Sequence, residues 1–441
     1  MLNEIVSALK KRSDLAGWAV RHSVSRDTQF YAVPNGIESR RAVDGEEYKI
    51  DVLRQTEAPD GAPAVGSGDV TLLPGGDIEA AIDQAALVAG LVANPVHGLP
   101  AAAPLPDVPL VDAGIRQDAP GVLEDLLAQI RTAASKHPQV RLTAAECFGE
   151  LQTVHLVNSR GIDAEQELTQ VAAEFVLRAG KDGREVETFE EMTRRRASDL
   201  DLAAVVERKA RQTLDLLEAE APASWQGPVV LRDAALTNFM TGTSLIGGVL
   251  QTLGSAASKY AKYSAWEIGQ PVFRGEVKGD PLTVWANRCI PFGTVSNRFD
   301  NEGLPAQRLE LIRDNVLVNF AASQRYADYM NLPPTGAFGG VELPPGRTQA
   351  SSLLSEPYVE IAQFSWFNPD SITGDFATEI RLGYLVENGK RKPFKGGQLI
   401  GNYMDALANV RWSAETGFFG NYLGPHTARF EGLKLAGEEQ T

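Results

Sequence analysis

Six prolines, at positions 95, 100, 104, 106, 109 and 120, fall between Asn94 and Pro120. Proline has no backbone N–H and a fixed φ, so neither a helix interior nor a central strand runs through such a stretch. With the alanines and glycines among them, these prolines predict a stiff, largely extended connector. No PxxP with basic flanks occurs in it, so it reads as a linker and not as a docking motif. It divides a chain of 441 residues, too long for one compact core, into parts that must find their own hydrophobic partners.

Before the connector, Leu2, Ile5, Val6 and Leu9 have helical spacing. From Trp18 to about Arg54 the runs FYAV and YKIDVL predict a meander of strands, with turns at Asn35-Gly36 and Asp44-Gly45. Asp77 predicts the N-cap of a helix reaching about Val92. After the connector, Asp118 is placed to cap a helix with Pro120 in its first turn and Leu123, Leu126, Leu127 and Ile130 in its buried stripe. Strands around 141–145, 153–157, 167–178 and 185–194 follow, joined by turns at Asn158–Gly161 and Gly180–Gly183. Ser198 and Asp201 open a helix to about Ala219. Helix–strands–helix thus occurs twice, which predicts two α+β modules, at 1–97 and 119–220, around a linker at 98–118. Beyond Ala221-Pro222, runs such as LTVWAN, YVEIAQFSWF and FATEIRLGYLVENG alternate with turn residues. Residues 221–441 are expected to form a large, mainly antiparallel β domain, and the fold class is α+β.

The net charge of −15 argues against nucleic acid as a partner, because phosphate contacts need a concentrated basic face. Arg194-Arg195-Arg196 is the one dense basic run, and with Glu185, Glu187, Glu190 and Glu191 before it the expectation is a solvated, self-compensated surface. No segment approaches the ~20 apolar residues of a membrane span, and the amphipathic N-terminus does not read as a signal peptide. Two cysteines, Cys147 and Cys289, are too few for a disulfide framework and are expected to be reduced in a cytoplasmic protein.

Motifs for catalysis are sparse. The histidines at 22, 97, 137, 155 and 426 show no metal-ligand spacing. There is no G-x-S-x-G nucleophile elbow, P-loop or dinucleotide fingerprint. The acid pairs Asp300/Glu302 and Asp370/Asp375 have no histidine near them in sequence, and Asp300–Gly303 also reads as a polar turn. No catalytic residue is assigned.

Four blocks nevertheless stand in a recognisable order: GPVVL at 227–231, DNEGLPAQRLELIRDNVLVNF at 300–320, TGDFATEIRLGYLVENGKRKPFKGGQLIGN at 373–402 and FEGLKLAG at 430–437. Together with VNSRGI at 157–162 they resemble the TldD/PmbA peptidase family. The resemblance implies a two-domain α+β protein that dimerises around a buried cavity. In that family, metal-bearing TldD members pair with PmbA (TldE) members lacking the metal, and the pairs degrade or trim unstructured peptides. The catalytic branch carries a zinc-binding HExxxH where this chain reads Met240-Thr241-Gly242-Thr243-Ser244-Leu245, and a late cysteine ligand where this chain has none after Cys289. Zinc needs deprotonated nitrogen, sulfur or oxygen ligands, which methionine, threonine and leucine do not supply as a set. The resemblance is therefore to the PmbA/TldE branch, with no metal or cofactor in this chain and zinc expected in a TldD-like partner.

That resemblance implies a heterodimer with such a partner or a homodimer, and an unfolded peptide as substrate. Asn238, Thr241, Gly242 and Ser244 are the candidates for the substrate cavity: small, polar positions able to hydrogen-bond a threaded chain. The competing reading is a helix whose Phe239, Leu245, Ile246, Val249 and Leu250 pack. A stand-alone homodimeric peptidase or amidase, or a peptide-binding protein of the same fold, is the alternative function.

Overall fold

Two strands of 17 and 22 residues, β1 (Gly17–Val33) and β2 (Gly36–Glu57), open the architecture. They form one hairpin across Pro34-Asn35, with Val33 opposite Gly36. The computed structural model describes residues 1–242 and 248–437. The turn expected at Asp44-Gly45 is absent: both residues lie within β2, opposite Arg26 and Ser25. A Cβ on Gly45 would come within 2.8 Å of Ser25 Oγ on the facing strand.

β3 (Pro63–Leu72) pairs with β2, and α2 (Ile78–Gly90) begins where Asp77 accepts a hydrogen bond from the Ala80 N–H. This helix lies directly on β3. A Cβ on Gly66 would sit 1.7 Å from the Ala89 carbonyl oxygen, so only glycine admits the approach. Beyond the connector come α3 (Ala113–Ser135), β4 (Arg141–Asn158), β5 (Asp163–Lys181), β6 (Arg184–Arg194) and α4 (Leu202–Glu218), the last capped by Asp201. Asp118 does accept from the Gly121 N–H, at 3.0 Å. A further helical turn precedes it, capped by Asp112, and the chain kinks at Asp118 where the backbone is non-helical.

The strands on either side of the connector form a single six-stranded antiparallel sheet, ordered β3-β2-β1-β4-β5-β6. The seam is β1 on β4, in register from Ala19 opposite Asn158 to Ala32 opposite Ala145. Val20 and Phe30 lie an even number of residues apart on β1 and face the same side. Val20 packs with α1 (Leu2–Leu9) and α2, and Phe30 packs with α3 and α4. All four helices therefore cover one face of the sheet. The connector is tied down: Val108 and Leu110 are buried, the Phe292 N–H donates to the Pro109 carbonyl, and the Thr169 N–H donates to that of Leu110.

The arginine run is not a solvated surface. Arg195 is buried, and its guanidinium donates to the carbonyl oxygens of Thr169, Gly293, Thr294 and Ser296 at 2.8–3.0 Å. Five fixed N–H donors allow arginine to be buried where carbonyls converge, and here they rivet β5 and β6 to the C-terminal region. Arg196 pairs with Asp199 and stacks on Phe292, 3.9 Å from the ring centroid.

The C-terminal region carries two further sheets, of six and nine strands. The larger includes β7 (Trp225–Gln226), β8 (Val229–Arg232), Tyr358–Phe364, Asp375–Glu387 and Thr427–Phe430. Pairing is mainly antiparallel, with β8 parallel to Tyr358–Phe364 and Gly340–Glu342 parallel to Tyr422–Pro425. One large apolar core joins both sheets.

Candidate functional site

β8 runs straight into α5 (Asp233–Thr241), the helix on which the cavity candidates fall. It touches strands of both C-terminal sheets. Ala235, Leu236, Phe239 and Met240 are buried in the shared core. The Phe239 ring lies 4.6 Å from that of Tyr403 and 4.8 Å from that of Phe430, within a cluster that also takes in Phe367 and Phe376. Met240 is 0 % exposed. A thioether at the centre of an apolar core contributes van der Waals contact and is closed to a hydrated ion.

The opposite stripe of α5 is half-buried and carries Thr237, Asn238 and Thr241. The threonine hydroxyls turn back on their own helix: Thr237 donates to the Asp233 carbonyl and Thr241 to that of Thr237, each at 2.9 Å. Gly242 ends the helix at φ 75° and ψ 161°, a conformation nearly confined to glycine, and its N–H donates to the Asn238 carbonyl. Asn238, Thr241 and Gly242 thus gather at the C-terminal end of one helix. Ser244, the fourth candidate, lies outside the described residues, as do Leu245 and Ile246 of the packing alternative.

The other end of α5 holds a pairing that sequence distance concealed. The Asp233 N–H donates to the His426 carbonyl, and the His426 ring places Nδ1 3.9 Å from Asp233 Oδ1. The same Nδ1 lies 3.0 Å from Thr427 Oγ1. A relay from hydroxyl through imidazole to carboxylate uses both ring nitrogens, and here both partners crowd one. Thr427 is also completely buried. The group is therefore a structural clasp between α5 and the strand Thr427–Phe430.

Among the described residues, no cluster of three or more His, Cys, Asp or Glu is placed to hold a metal ion. The HExxxH register offers Met240 to the core and Thr241 to its own helix, so the donor set present does not fit zinc. His155 pairs with Asp163 across the β4–β5 hairpin at 2.7 Å. Cys147 and Cys289 are both free, and burial pushes the Cys147 thiol up to about 12, which leaves it without nucleophilic thiolate.

The acid pair Asp300/Glu302 divides its labour. Asp300 Oδ1 accepts the backbone N–H groups of Glu302, Gly303 and Leu304, and Oδ2 that of Ala337, which fixes the loop. Arg288, fully buried, lies 3.6 Å from Asp300. Glu302 accepts from the Gln324 N–H at 2.7 Å and lines a cleft of about 330 Å³, between the six-stranded N-terminal sheet and the connector, with Arg21, Asp51 and His97. Burial is the main cause that raises its carboxyl to about 7. The flanking acids Asp300 and Asp328 add to the rise, while the Gln324 N–H and Arg325 oppose it.

Models of one family match most of the chain: the PmbA/TldA metallopeptidase central domain over residues 116–217 and the C-terminal domain over 226–437. Among relatives, an uncharacterised protein of Methanocaldococcus jannaschii is 26% identical over 65% of this chain and 68% of its own length. Metalloprotease PmbA of Escherichia coli O157:H7 is 23% identical over 46% of this chain and 44% of its own length. A metalloprotease TldD homolog of Haemophilus influenzae is 26% identical over 33% and 34% respectively. The match thus spans about two thirds of the first and less than half of the other two. Two solved structures share the fold throughout, each with a TM-score of 0.82 at 18% identity over 99% of this chain and 100% of the other. They are TldE of Thermococcus kodakarensis and a Thermotoga maritima protein proposed to modulate a DNA gyrase.

Proposed function

Because the chain belongs to the PmbA/TldD metallopeptidase family, we propose that it is the non-metallated, TldE-like subunit of a two-chain zinc peptidase. Its part is to shape, with a metal-bearing TldD-like partner, the cavity that receives unfolded peptide. The observation that carries this reading is Met240. At the position where the catalytic branch bears a zinc ligand, this chain has a side chain wholly committed to the core between the two C-terminal sheets. The helix around it is well packed, which supports a kept scaffold without the zinc chemistry.

The surface supports a partner as well. Leu87, Val88, Leu91, Val92 and Val96 are exposed together at the end of α2 and the start of the connector, with Leu91 79% exposed. A run of large apolar side chains in water is the kind of surface that association covers. The stand-alone hydrolase gains no such support from the His426 group, whose two partners share one nitrogen. Co-expression with a metal-bearing family member and capture through a tag on either chain tests the proposal. One complex of fixed stoichiometry is expected; separate elution of the two chains, or a homodimer that excludes the other chain, contradicts it.

A further inference from the structure

The chain is acidic overall, yet one cleft of about 560 Å³ gathers four arginines. It opens between α4 and the nine-stranded sheet, beside the start of α5, and Arg208, Arg211, Arg232 and Arg391 line it. Three of them are engaged. Arg208 donates to Glu190 at 3.0 Å, and Arg211 lies 3.3 Å from Glu207 on the solvent side of α4. Arg391 donates to Glu360 at 3.2 Å and lies flat against the Tyr384 ring. Asp215 completes that cluster, accepting from the Tyr384 hydroxyl at 2.7 Å.

Arg232 is the exception. Among the described residues its guanidinium has no hydrogen bond and no ion pair, and its Nε is buried without a partner. The residue as a whole is half-buried, and an unmatched buried N–H costs free energy; the Nε atoms of Arg21 and Arg131 are left in the same way. Arg232 is also the residue that precedes α5, whose first turn receives no side-chain cap. The uncapped helix end and the unpaired guanidinium therefore face the same opening, where both favour negative charge. Asp233, in the first turn of α5, also lines the cleft, as do Asp215 and Glu360, and its Oδ1 lies 3.9 Å from His426 Nδ1. Leu214, Ala234, Ile361 and Ala362 add an apolar stretch to the wall, and Gln212 a polar one.

We propose that this cleft binds the oxyanion group of a small organic ligand, a carboxylate or a phosphate, through Arg232 with Arg211 at the rim. A guanidinium presents two parallel N–H donors that match both groups. The volume exceeds what a bare ion fills and falls within the range of small-molecule sites, and the apolar stretch gives the body of the ligand a surface. The site lies at the opposite end of α5 from Asn238, Thr241 and Gly242, and it does not depend on the peptidase reading.

Titration calorimetry on the full chain at constant ionic strength tests the proposal with three probes: acetyl-Leu-Leu as the free acid, its C-terminal amide, and phenyl phosphate. Saturable binding of the acid without the amide identifies a carboxylate ligand, and saturable binding of phenyl phosphate alone identifies a phosphate ligand. Arg232→Met should weaken either by at least about tenfold, and Arg211→Met, at an exposed rim position, should weaken it less while leaving the fold intact. Should Arg232→Met fail to fold, Arg211→Met together with the acid–amide comparison decides the matter. The proposal is overturned if no probe binds saturably at millimolar concentration, if acid and amide bind alike and phenyl phosphate does not bind, or if the arginine substitutions change nothing.

Discussion

Replacing Glu302 with glutamine should stabilise this protein, and more so as the pH rises. The carboxyl stands on a loop that Asp300 fixes with three backbone hydrogen bonds, and its own bond to the Gln324 N–H holds it in the half-buried wall of the cleft. Burial lifts it from an ordinary value of 4.5 to about 7. An acid raised on folding binds more protons in the native than in the unfolded chain between those two values. Stability from this group is therefore full below about 4.5, falls as the pH climbs, and reaches its lowest level above 7. At about 1.4 kcal/mol for each pH unit, that interval corresponds to about 3 kcal/mol. Glutamine keeps the oxygen that accepts from the Gln324 N–H and never ionises. Thermal unfolding of both proteins from pH 5 to 8.5 reads the difference, in which all other titrating groups cancel. Between pH 5 and 8.5 about 2.5 kcal/mol of this is read, and with about 2.1 cal/mol/K of unfolding entropy per residue the melting-temperature gap should widen by about 3 °C in favour of Glu302→Gln. A gap that stays flat, or one that closes as the pH rises, refutes the reasoning.

The end of α5 offers a test of what it faces. Asn238→Trp should slow peptide cleavage by the assembled pair with little change in melting temperature if that stripe lines the cavity; a large loss of stability with unchanged activity would show that it only packs. Gly242→Ala should destabilise by about 1–3 kcal/mol whatever the segment contacts, because its φ and ψ belong to a glycine region; an unchanged denaturation midpoint contradicts that. After exhaustive dialysis, elemental analysis should find no stoichiometric zinc in the isolated chain, and about one zinc per chain would overturn the reading of Met240.

What could be read from sequence was local. Asp77, Asp118 and Asp201 each cap a helix where expected, because an N-cap needs only its own first turn. Asp44-Gly45 misled for the same reason: as a dipeptide it reads as a turn, and only the pairing with Arg26 and Ser25 on the facing strand shows otherwise. Arg195 looked like surface because acids shortly upstream balance the basic run, whereas its partners are the carbonyl of Thr169 and three carbonyls about a hundred residues away. The β1–β4 seam, the His426–Asp233 contact and the cleft around Arg232 are likewise products of tertiary pairing. The family resemblance, carried by four blocks in order, reached further than periodicity could. It indicated the α+β fold, but not that Met240 would be wholly buried in the apolar core shared by the two C-terminal sheets.

The central claim is that this chain completes a peptidase without carrying its metal, and the most direct measurement is the cleavage rate of an unfolded peptide. The assay compares this chain alone, a metal-bearing family member alone, and the two mixed in equal amounts. The account predicts cleavage by the mixture faster than by either chain, abolished by removing zinc. Full cleavage by this chain alone, free of metal and partner, contradicts it.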